Sequence, residues 1–334
     1  MEQPWQIPMS LTPKQQEKKA VRRSANFCGF LMIAMMAVQE LLSVLLVALA
    51  LLGVLDASSA DYGLGNTGYQ LLNMLLYLLF LPVPAIAVAL IAKSRVSPFP
   101  TRRVPLVTLL CLTFAGMAMA VLANIATSYL MSVVENMGVP PPQFPDTIQP
   151  TTTSLWLNIL STAVLPALVE EMIFRGYFLG ALRPHGDGIA VVLSAFVFGL
   201  FHGNILQFPF AFLLGLVFGF VVVQTGSIWP AVLIHFGNNL MSVLLEYFVD
   251  CYPELPDGVL TMGVFTAVCV VGVAAMAVLL LQGRANPRRD VFAPIGNGLS
   301  PLPVGQRVRT MLLSPALLAA LMGMTVTLLI GMVR

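Results

Sequence analysis

The sequence predicts an all-α protein, a polytopic membrane helical bundle of about eight or nine transmembrane helices. Charged residues make up only 10% of the chain, whereas a soluble domain carries about 25%. Hydrophobic residues make up 58%, and the mean hydropathy is +0.88. Apolar runs of the length that a bilayer requires, about 20 residues, recur along the whole chain. Together these observations exclude an ordinary soluble domain.

The apolar runs divide the chain into nine expected spans. They lie at about 27–55, 69–93, 105–132, 154–174, 189–203, 207–223, 228–247, 258–281 and 311–332. The fourth is expected to continue as helix to about residue 182. Pro82 and Pro84 predict a kink in the second span, which neighbouring helices can accommodate. Merging one weak pair of spans would give eight.

The order of these spans suggests four regions. Residues 1–25 form a polar N-terminal segment, and 26–147 hold the first three spans. Residues 148–248 form a core that carries the polar motifs described below. Residues 249–334 hold the last two spans and a basic loop between them.

The charges of the connecting segments predict the orientation. Lys and Arg concentrate in segments 1–25, 93–104, 183–188 and 282–310, whereas loops 56–68, 133–152 and 248–257 are acidic. Basic loops face the cytoplasm, so nine spans with a cytoplasmic N-terminus fit this pattern. We expect an integral, multi-pass protein of a bacterial cytoplasmic membrane, with the lipid bilayer as its partner. A net charge of +2 is too small to indicate a nucleic-acid partner.

The fourth span contains an energetically costly stretch. Glu170, Glu171 and Arg175 lie within six residues of an otherwise apolar run. A charge near the centre of a bilayer costs about 2.5–3.5 kcal/mol on insertion scales. Residues four apart share a helix face, so Arg175 can neutralise Glu171. Glu170 then points about 100° away and is left free.

Two later spans carry polar pairs with the same spacing. Phe198 and His202 share a face of the fifth span, and His235 and Asn239 share a face of the seventh. At 1.5 Å per residue, Glu170, His202 and His235 lie roughly 18, 21 and 12 Å from the expected cytoplasmic ends of their helices. The three groups can therefore meet at one level of the membrane.

A carboxylate and two imidazoles at one depth are suited to activating water. Glu170 would be the general base, and His202 would orient or deprotonate the water. His235 and Asn239 would donate hydrogen bonds to a developing oxyanion. An alternative is that Glu170, His202 and His235 hold a divalent metal such as zinc. Taken singly, each residue is also compatible with a structural role, and an Asn on a membrane helix commonly joins helices.

The three motifs together resemble a known family. In order they are Glu170-Glu171-xxx-Arg175, Phe198-xxx-His202 and His235-xxx-Asn239. This set is similar to the CAAX-protease and bacteriocin-processing (CPBP, also called Abi) intramembrane proteases, relatives of the eukaryotic Ras-converting CAAX endopeptidase. The resemblance covers about residues 150–245. It implies that Glu170 and His202 activate the attacking water, that His235 and Asn239 form the oxyanion site, and that Glu171, Arg175 and Phe198 support them.

The leading hypothesis is therefore an intramembrane endopeptidase acting on a peptide or a membrane protein. The alternatives are a catalytically silent membrane scaffold or bacteriocin-immunity protein and, less favoured, a secondary transporter. The chain has no HExxH motif, no GxSxG-type serine elbow within a span and no pair of intramembrane aspartates. These absences disfavour other classes of membrane protease.

Overall fold

The computed structural model describes residues 11–56, 58–59, 61–136, 151–252, 254, 258–286, 290–295 and 300–333. Most of the expected acidic loop 133–152, part of the polar segment 1–25 and part of the basic loop 282–310 lie outside these ranges. The regular structure of the described residues is helical, apart from one antiparallel bridge between Thr101 and Ser227. The all-α prediction is confirmed.

The first four helices and the last six are α-helical throughout, and the segment between them is irregular. The early helices are α1 (Pro13–Leu51), α2 (Gly65–Phe80), α3 (Pro82–Ile91) and α4 (Leu106–Asn136). The irregular segment contains α5 (Thr152–Asn158), a π-helix we call π1 (Ile159–Val164), α6 (Leu165–Glu171), a second π-helix π2 (Met172–Leu179), α7 (Gly180–Leu182) and a 3₁₀ turn (Arg183–His185). The later helices are α8 (Asp187–Phe201), α9 (Phe208–Thr225), α10 (Trp229–Cys251), α11 (Val259–Ala285), α12 (Val304–Leu312) and α13 (Pro315–Val333).

Helix lengths give the lower of the two expected span counts. Among the described residues, seven helices are long and apolar enough to cross a membrane, and the bent pair α12 and α13 makes eight. The expected fifth span is α8, which has only 15 residues and so rises about 22 Å, less than the ~30 Å of a hydrocarbon core. The expected ninth span belongs to the pair α12–α13, which bends by 68°. At the position of the kink predicted from Pro82 and Pro84, α2 ends at Phe80 and α3 begins at Pro82, and the two helices together form one span.

Contacts between loops bring the expected cytoplasmic segments to one end of the bundle. His185 Nδ1 lies 3.0 Å from Glu17 Oε1, and Arg307 donates to the carbonyl oxygen of His185. The Arg102 amide donates to the carbonyl oxygen of Gly226 at 3.2 Å. We call this the basic end. Since α8 begins and α9 ends near it, these two helices form an excursion that returns to the same side, however deep α8 reaches.

The buried core lies around π2. Its largest fully buried side chains include Phe174, Phe178 and Phe218, and also the charged Arg175. Lipid tails are as apolar as these side chains, so close packing and polar contacts, rather than exclusion of water, hold such helices together. A guanidinium at the centre of this core indicates that the surrounding helices are arranged around its charge.

Candidate active site

The segment that carries Glu170 is wound unusually. The short helix α6 lies between π1 and π2, and Pro166 lies in its first turn. π-helical turns close i→i+5 hydrogen bonds, so they shift the register of the side chains relative to an α-helix. The carbonyl oxygen of Thr162 in π1 accepts a hydrogen bond from Asn239 of α10 at 2.8 Å.

The predicted ion pair is present and fully buried. Arg175 Nη1 lies 3.1 Å from Glu171 Oε1, with both side chains 0% exposed. Arg175 Nη2 donates to the carbonyl oxygen of Gly215 in α9 at 3.2 Å. The guanidinium also lies over two rings, 4.4 Å from the centroid of Phe198 and 4.9 Å from that of Phe218. Cation–π contacts of this kind stabilise a desolvated charge, so Arg175 joins π2 to α8 and α9.

Gly215 makes this arrangement sterically feasible. A Cβ atom at that position would lie 2.9 Å from Ala195 Cα and 3.3 Å from Arg175 Nη2. Any larger residue would push α8 away from α9 or displace the guanidinium from the carbonyl that it binds. The absence of a side chain is therefore a requirement of this helix contact.

Glu171 has a second partner that the spacing did not reveal. Its Oε1 lies 3.0 Å from His235 Nδ1 on α10. An ionised carboxylate only accepts hydrogen bonds, so Nδ1 of His235 carries a proton. The ring also stacks on Phe218, with centroids 5.3 Å apart and planes inclined by 19°. The orientation of His235 is thus fixed from two sides.

Glu170 is free of Arg175, as predicted, but it is not isolated. Tyr77 Oη on α2 donates to Glu170 Oε1 at 3.0 Å. His235 Nε2 lies 3.9 Å from Glu170 Oε2, which is too long for a direct hydrogen bond. Within the described residues Oε2 accepts no hydrogen bond. One oxygen of Glu170 is therefore anchored, and the other is available to a ligand.

His202 is held by the motif that contains it. It caps α8, and its Nδ1 lies 2.7 Å from the carbonyl oxygen of Phe198. A carbonyl only accepts, so Nδ1 donates and a neutral ring has its lone pair on Nε2. The Phe198 ring makes edge contacts with both histidines, at 4.9 Å from His202 and 6.1 Å from His235. Phe198 therefore packs against both imidazoles, and its supporting role stays a prediction.

Asn239 has a neighbour that sequence reasoning missed. Asn238 is 3% exposed and donates from Nδ2 to Asn239 Oδ1 at 3.0 Å. Because Thr162 presents a carbonyl, the Asn239 atom that faces it is the amide nitrogen, which keeps a second N–H for another acceptor. Asn238 Oδ1 is buried with no hydrogen-bond partner, and Asn238 lines the same cavity as Asn239.

All four predicted catalytic residues line one cavity of about 290 Å³. Its wall includes Glu170, Phe198, His202, Phe218, His235, Asn238 and Asn239. The volume lies near the lower end of the ~300–1,000 Å³ usual for ligand sites. Glu171 and Arg175 are buried behind this wall, which fits their predicted supporting position.

The side chains around the cavity also bear on the zinc alternative. Among the described residues, no group of three or more His, Cys, Asp or Glu side chains is placed to hold a metal ion. Nδ1 of His235 contacts Glu171 and Nδ1 of His202 contacts the Phe198 carbonyl, whereas Nε2 of each ring makes no hydrogen bond with another described residue. The zinc alternative stays a prediction, and the steps proposed below use no metal.

The comparison with known families matches the segment that builds this cavity. Residues 152–241 match the family model of the Type II CAAX prenyl endopeptidase Rce1-like proteins. This segment is therefore similar to the CAAX-protease family over about a quarter of the chain. It contains each residue of the three motifs but not Tyr77, which α2 brings to Glu170 from outside the matched range.

One curated relative that the chain is similar to is the putative membrane peptidase YdiL of Bacillus subtilis (strain 168). It is 26% identical over 91 residues, which cover 27% of this chain and 37% of the relative. The chain therefore spans little more than a third of the length of the curated relative that it matches. No solved structure matches the chain.

Proposed function

We propose that the protein is an intramembrane endopeptidase that hydrolyses a peptide bond of a membrane-associated protein or peptide. The observation that carries this proposal is the division of the cavity wall into acceptors and donors. Glu170 Oε2 and His202 Nε2 are acceptors, whereas Asn239 Nδ2 has a hydrogen to donate. The family match of residues 152–241 and the similarity to a putative membrane peptidase support the same reaction class.

The acceptors suit the attacking water. Glu170 takes a proton from the water, and His202 Nε2 holds the other water hydrogen, so that the lone pair faces the peptide carbonyl. The hydroxyl adds to the carbonyl carbon, and the carbonyl oxygen becomes an oxyanion. The tetrahedral species collapses when the C–N bond breaks, and the proton held by Glu170 passes to the leaving amine.

The donors suit the oxyanion. Asn239 offers its second amide hydrogen, and His235 offers Nε2–H. His235 already donates from Nδ1 to Glu171. Because a neutral imidazole has only one N–H, His235 can also donate from Nε2 only as the imidazolium ion. The carboxylate oxygens of Glu171 and Glu170 lie 3.0 Å and 3.9 Å from the two ring nitrogens of His235. A positive donor stabilises a developing negative charge more strongly than a neutral one.

The experiment that tests this proposal replaces Glu170 by Gln in protein reconstituted in liposomes. Cleavage of fluorogenic hydrophobic peptides, with and without a prenylated cysteine, is followed by mass spectrometry. Loss of a general base lowers kcat/KM by about 10²–10⁴-fold. The matched control is Glu40→Gln, since Glu40 is an exposed carboxylate of the membrane helix α1 outside the cavity. Equal activity of Glu170→Gln and the unchanged protein would remove the general-base role.

The alternatives are distinguished by the same preparation. A scaffold or immunity protein gives no cleavage of any peptide by the unchanged protein, and a transporter gives solute flux that Glu170→Gln leaves unchanged. The zinc hypothesis remains a separate prediction, in which a strong chelator abolishes cleavage and added zinc restores it. The mechanism above predicts that activity survives chelation.

Several long apolar helices make this an integral, multi-pass membrane protein. We place the basic end in the cytoplasm because positively charged segments are retained there. In a bacterium this puts the N-terminus on the inner side of the cytoplasmic membrane. The substrate would then be a peptide or a membrane-protein segment that enters the helix bundle from the bilayer or its surface.

A further inference from the structure

A second, larger cavity lies at the basic end and is unrelated to the catalytic residues. It is a groove of about 1070 Å³ between the N-terminal part of α1 and the end of α3, and it also borders α7 and Pro184. It shares no lining residue with the cavity around Glu170. We call it the basic groove, and the proposed peptidase reaction does not use it.

Five cationic side chains line the basic groove, and no acidic side chain does. They are Lys19, Arg22, Arg23, Lys93 and Arg95. All five are exposed, and none forms a side-chain hydrogen bond or an ion pair with another described residue. A set of like charges facing one space is mutually repulsive, so this arrangement is stabilised when an anion occupies the groove.

The cations of α1 form one stripe. An α-helix turns by about 100° per residue, so Arg22 lies about 60° to one side of Lys19 around the helix axis and Arg23 about 40° to the other side. The nearest carboxylate of α1, Glu17, is about 200° from Lys19. It is engaged by His185 at 3.0 Å and by Ser300 at 3.2 Å. No acidic side chain of α1 therefore neutralises the stripe.

The same helix face becomes apolar further along α1. Phe30 lies on the line of the stripe, lines the groove and is 55% exposed. At the other wall, Lys93 and Arg95 directly follow α3, whose last residues Leu90 and Ile91 are 72% and 82% exposed. The groove is thus cationic at the basic end, and its surroundings become apolar further along α1 and α3, in the direction of the membrane interior. This gradient matches a ligand with an anionic head and a hydrocarbon tail.

We propose that the basic groove is a binding site for an anionic phospholipid of the surrounding bilayer. The phosphate group contacts the cations of α1 and of the segment after α3, and an acyl chain lies against Phe30 towards the lipid-facing surface of α3. The general bias of basic residues towards one side of a membrane explains why the five cations lie at the basic end. It does not explain why they converge on one groove between two helices.

The test compares two triple variants of the full chain that lose the same charge at the same end. The groove variant is Arg22→Gln/Arg23→Gln/Lys93→Gln, and the matched control is Lys14→Gln/Lys18→Gln/Arg103→Gln. The control residues are exposed, line no part of the groove and have no partner among the described side chains. Binding of short-chain phosphatidylglycerol and phosphatidylcholine to detergent-solubilised protein is measured by native mass spectrometry.

We expect the unchanged protein and the control to bind phosphatidylglycerol in preference to phosphatidylcholine, and the groove variant to bind it about tenfold or more weakly. Glycerol phosphate, which has the head group but no chain, should bind far more weakly than the lipid. Equal loss in both triple variants would overturn the proposal in favour of general surface charge. Binding of glycerol phosphate as tight as that of the lipid would identify a site for a free anion instead. An acidic peptide that binds the groove while the lipid does not would also overturn the proposal.

Thermal unfolding shows whether the triple variants are folded. Because the replaced side chains are exposed and make no hydrogen bond or ion pair with another described residue, thermal unfolding of both variants should match that of the unchanged protein. A second variant, Phe30→Ser, keeps every charge and should weaken binding more for longer acyl chains than for shorter ones. Binding independent of chain length in both proteins would remove Phe30 from the site.

Discussion

Tyr77 Oη lies 3.0 Å from Glu170 Oε1, although 93 residues separate the two in sequence. The contact joins α2 to the irregular segment that carries the acidic motif. It anchors one carboxylate oxygen and leaves the other facing the cavity. Helix α2 lies outside the segment that the family comparison matches, so the candidate site extends beyond the matched residues.

The first prediction concerns this contact. Tyr77→Phe removes the hydroxyl and keeps the ring, so Glu170 loses its anchor. A hydrogen bond to a charged group contributes about 1.5–3 kcal/mol, and kcat should fall about tenfold or more while KM changes little. The measurement is steady-state cleavage of the peptide substrate by reconstituted protein.

Tyr69→Phe is the matched control for Tyr77. Tyr69 lies on the same helix, and its hydroxyl makes no hydrogen bond with another described residue. Its variant should retain full activity. If Tyr77→Phe and Tyr69→Phe behave alike, the positioning role of Tyr77 is wrong, and the anchor must be sought elsewhere around Glu170.

Local features of this site could be predicted from sequence, and features that depend on how helices meet could not. The pair Glu171–Arg175 follows from helical spacing alone, and the structure contains it. The contacts of Tyr77 with Glu170 and of Glu171 with His235 depend on the rotation and height of separate helices, which one sequence does not specify. A tyrosine among the leucines of α2 is a weak signal, because many such residues only mark a membrane interface.

The fold shows the same division between local and long-range information. Composition is sufficient to predict an all-α membrane bundle, because lipid permits few other architectures. It does not predict that α8 stops after 15 residues, nor that two π-helices flank α6, because hydropathy does not specify where a helix ends or how its turns are wound. The division of the chain at residues 148 and 248 stays a prediction.

A second prediction concerns the buried pair Glu171 and Arg175. Removing one partner leaves an uncompensated charge in the core, which costs about 3–5 kcal/mol. Glu171→Gln and Arg175→Met should each lower the free energy of unfolding by this order. The double variant should be less destabilised than the sum of the two, because neither charge is then left alone.

The measurement is chemical unfolding in mixed detergent micelles, arranged as a double-mutant cycle. Additive effects of the two changes would show that Arg175 is held by the Gly215 carbonyl and the two phenyl rings rather than by Glu171. Activity gives an independent reading, since Glu171→Gln weakens the contact that orients His235 and should lower kcat even where the protein remains folded.

A third prediction concerns orientation. Single cysteines are placed at Lys18 on the basic end and at Ser58 in the turn between α1 and α2, in a protein whose four native cysteines are replaced by serine. A maleimide that cannot cross membranes should label position 58 in intact spheroplasts and position 18 only after permeabilisation. The reverse pattern would place the basic end outside and contradict the charge rule.

The last prediction concerns the close contact of α8 and α9. A methyl group at Gly215 would meet Ala195 Cα at 2.9 Å and Arg175 Nη2 at 3.3 Å, so Gly215→Ala forces the helices apart. Overpacking of this kind costs about 1–3 kcal/mol, and it also pushes Arg175 from the carbonyl that it binds. Thermal unfolding in detergent should therefore occur at a lower temperature, and cleavage should weaken.

Gly263→Ala is the control, since a Cβ atom there meets open space on α11. Alanine favours the helix by about 0.8–1.0 kcal/mol over glycine. This variant should therefore be at least as stable as the unchanged protein. A Gly215→Ala variant as stable and active as the control would show that α8 and α9 can separate without disturbing Arg175.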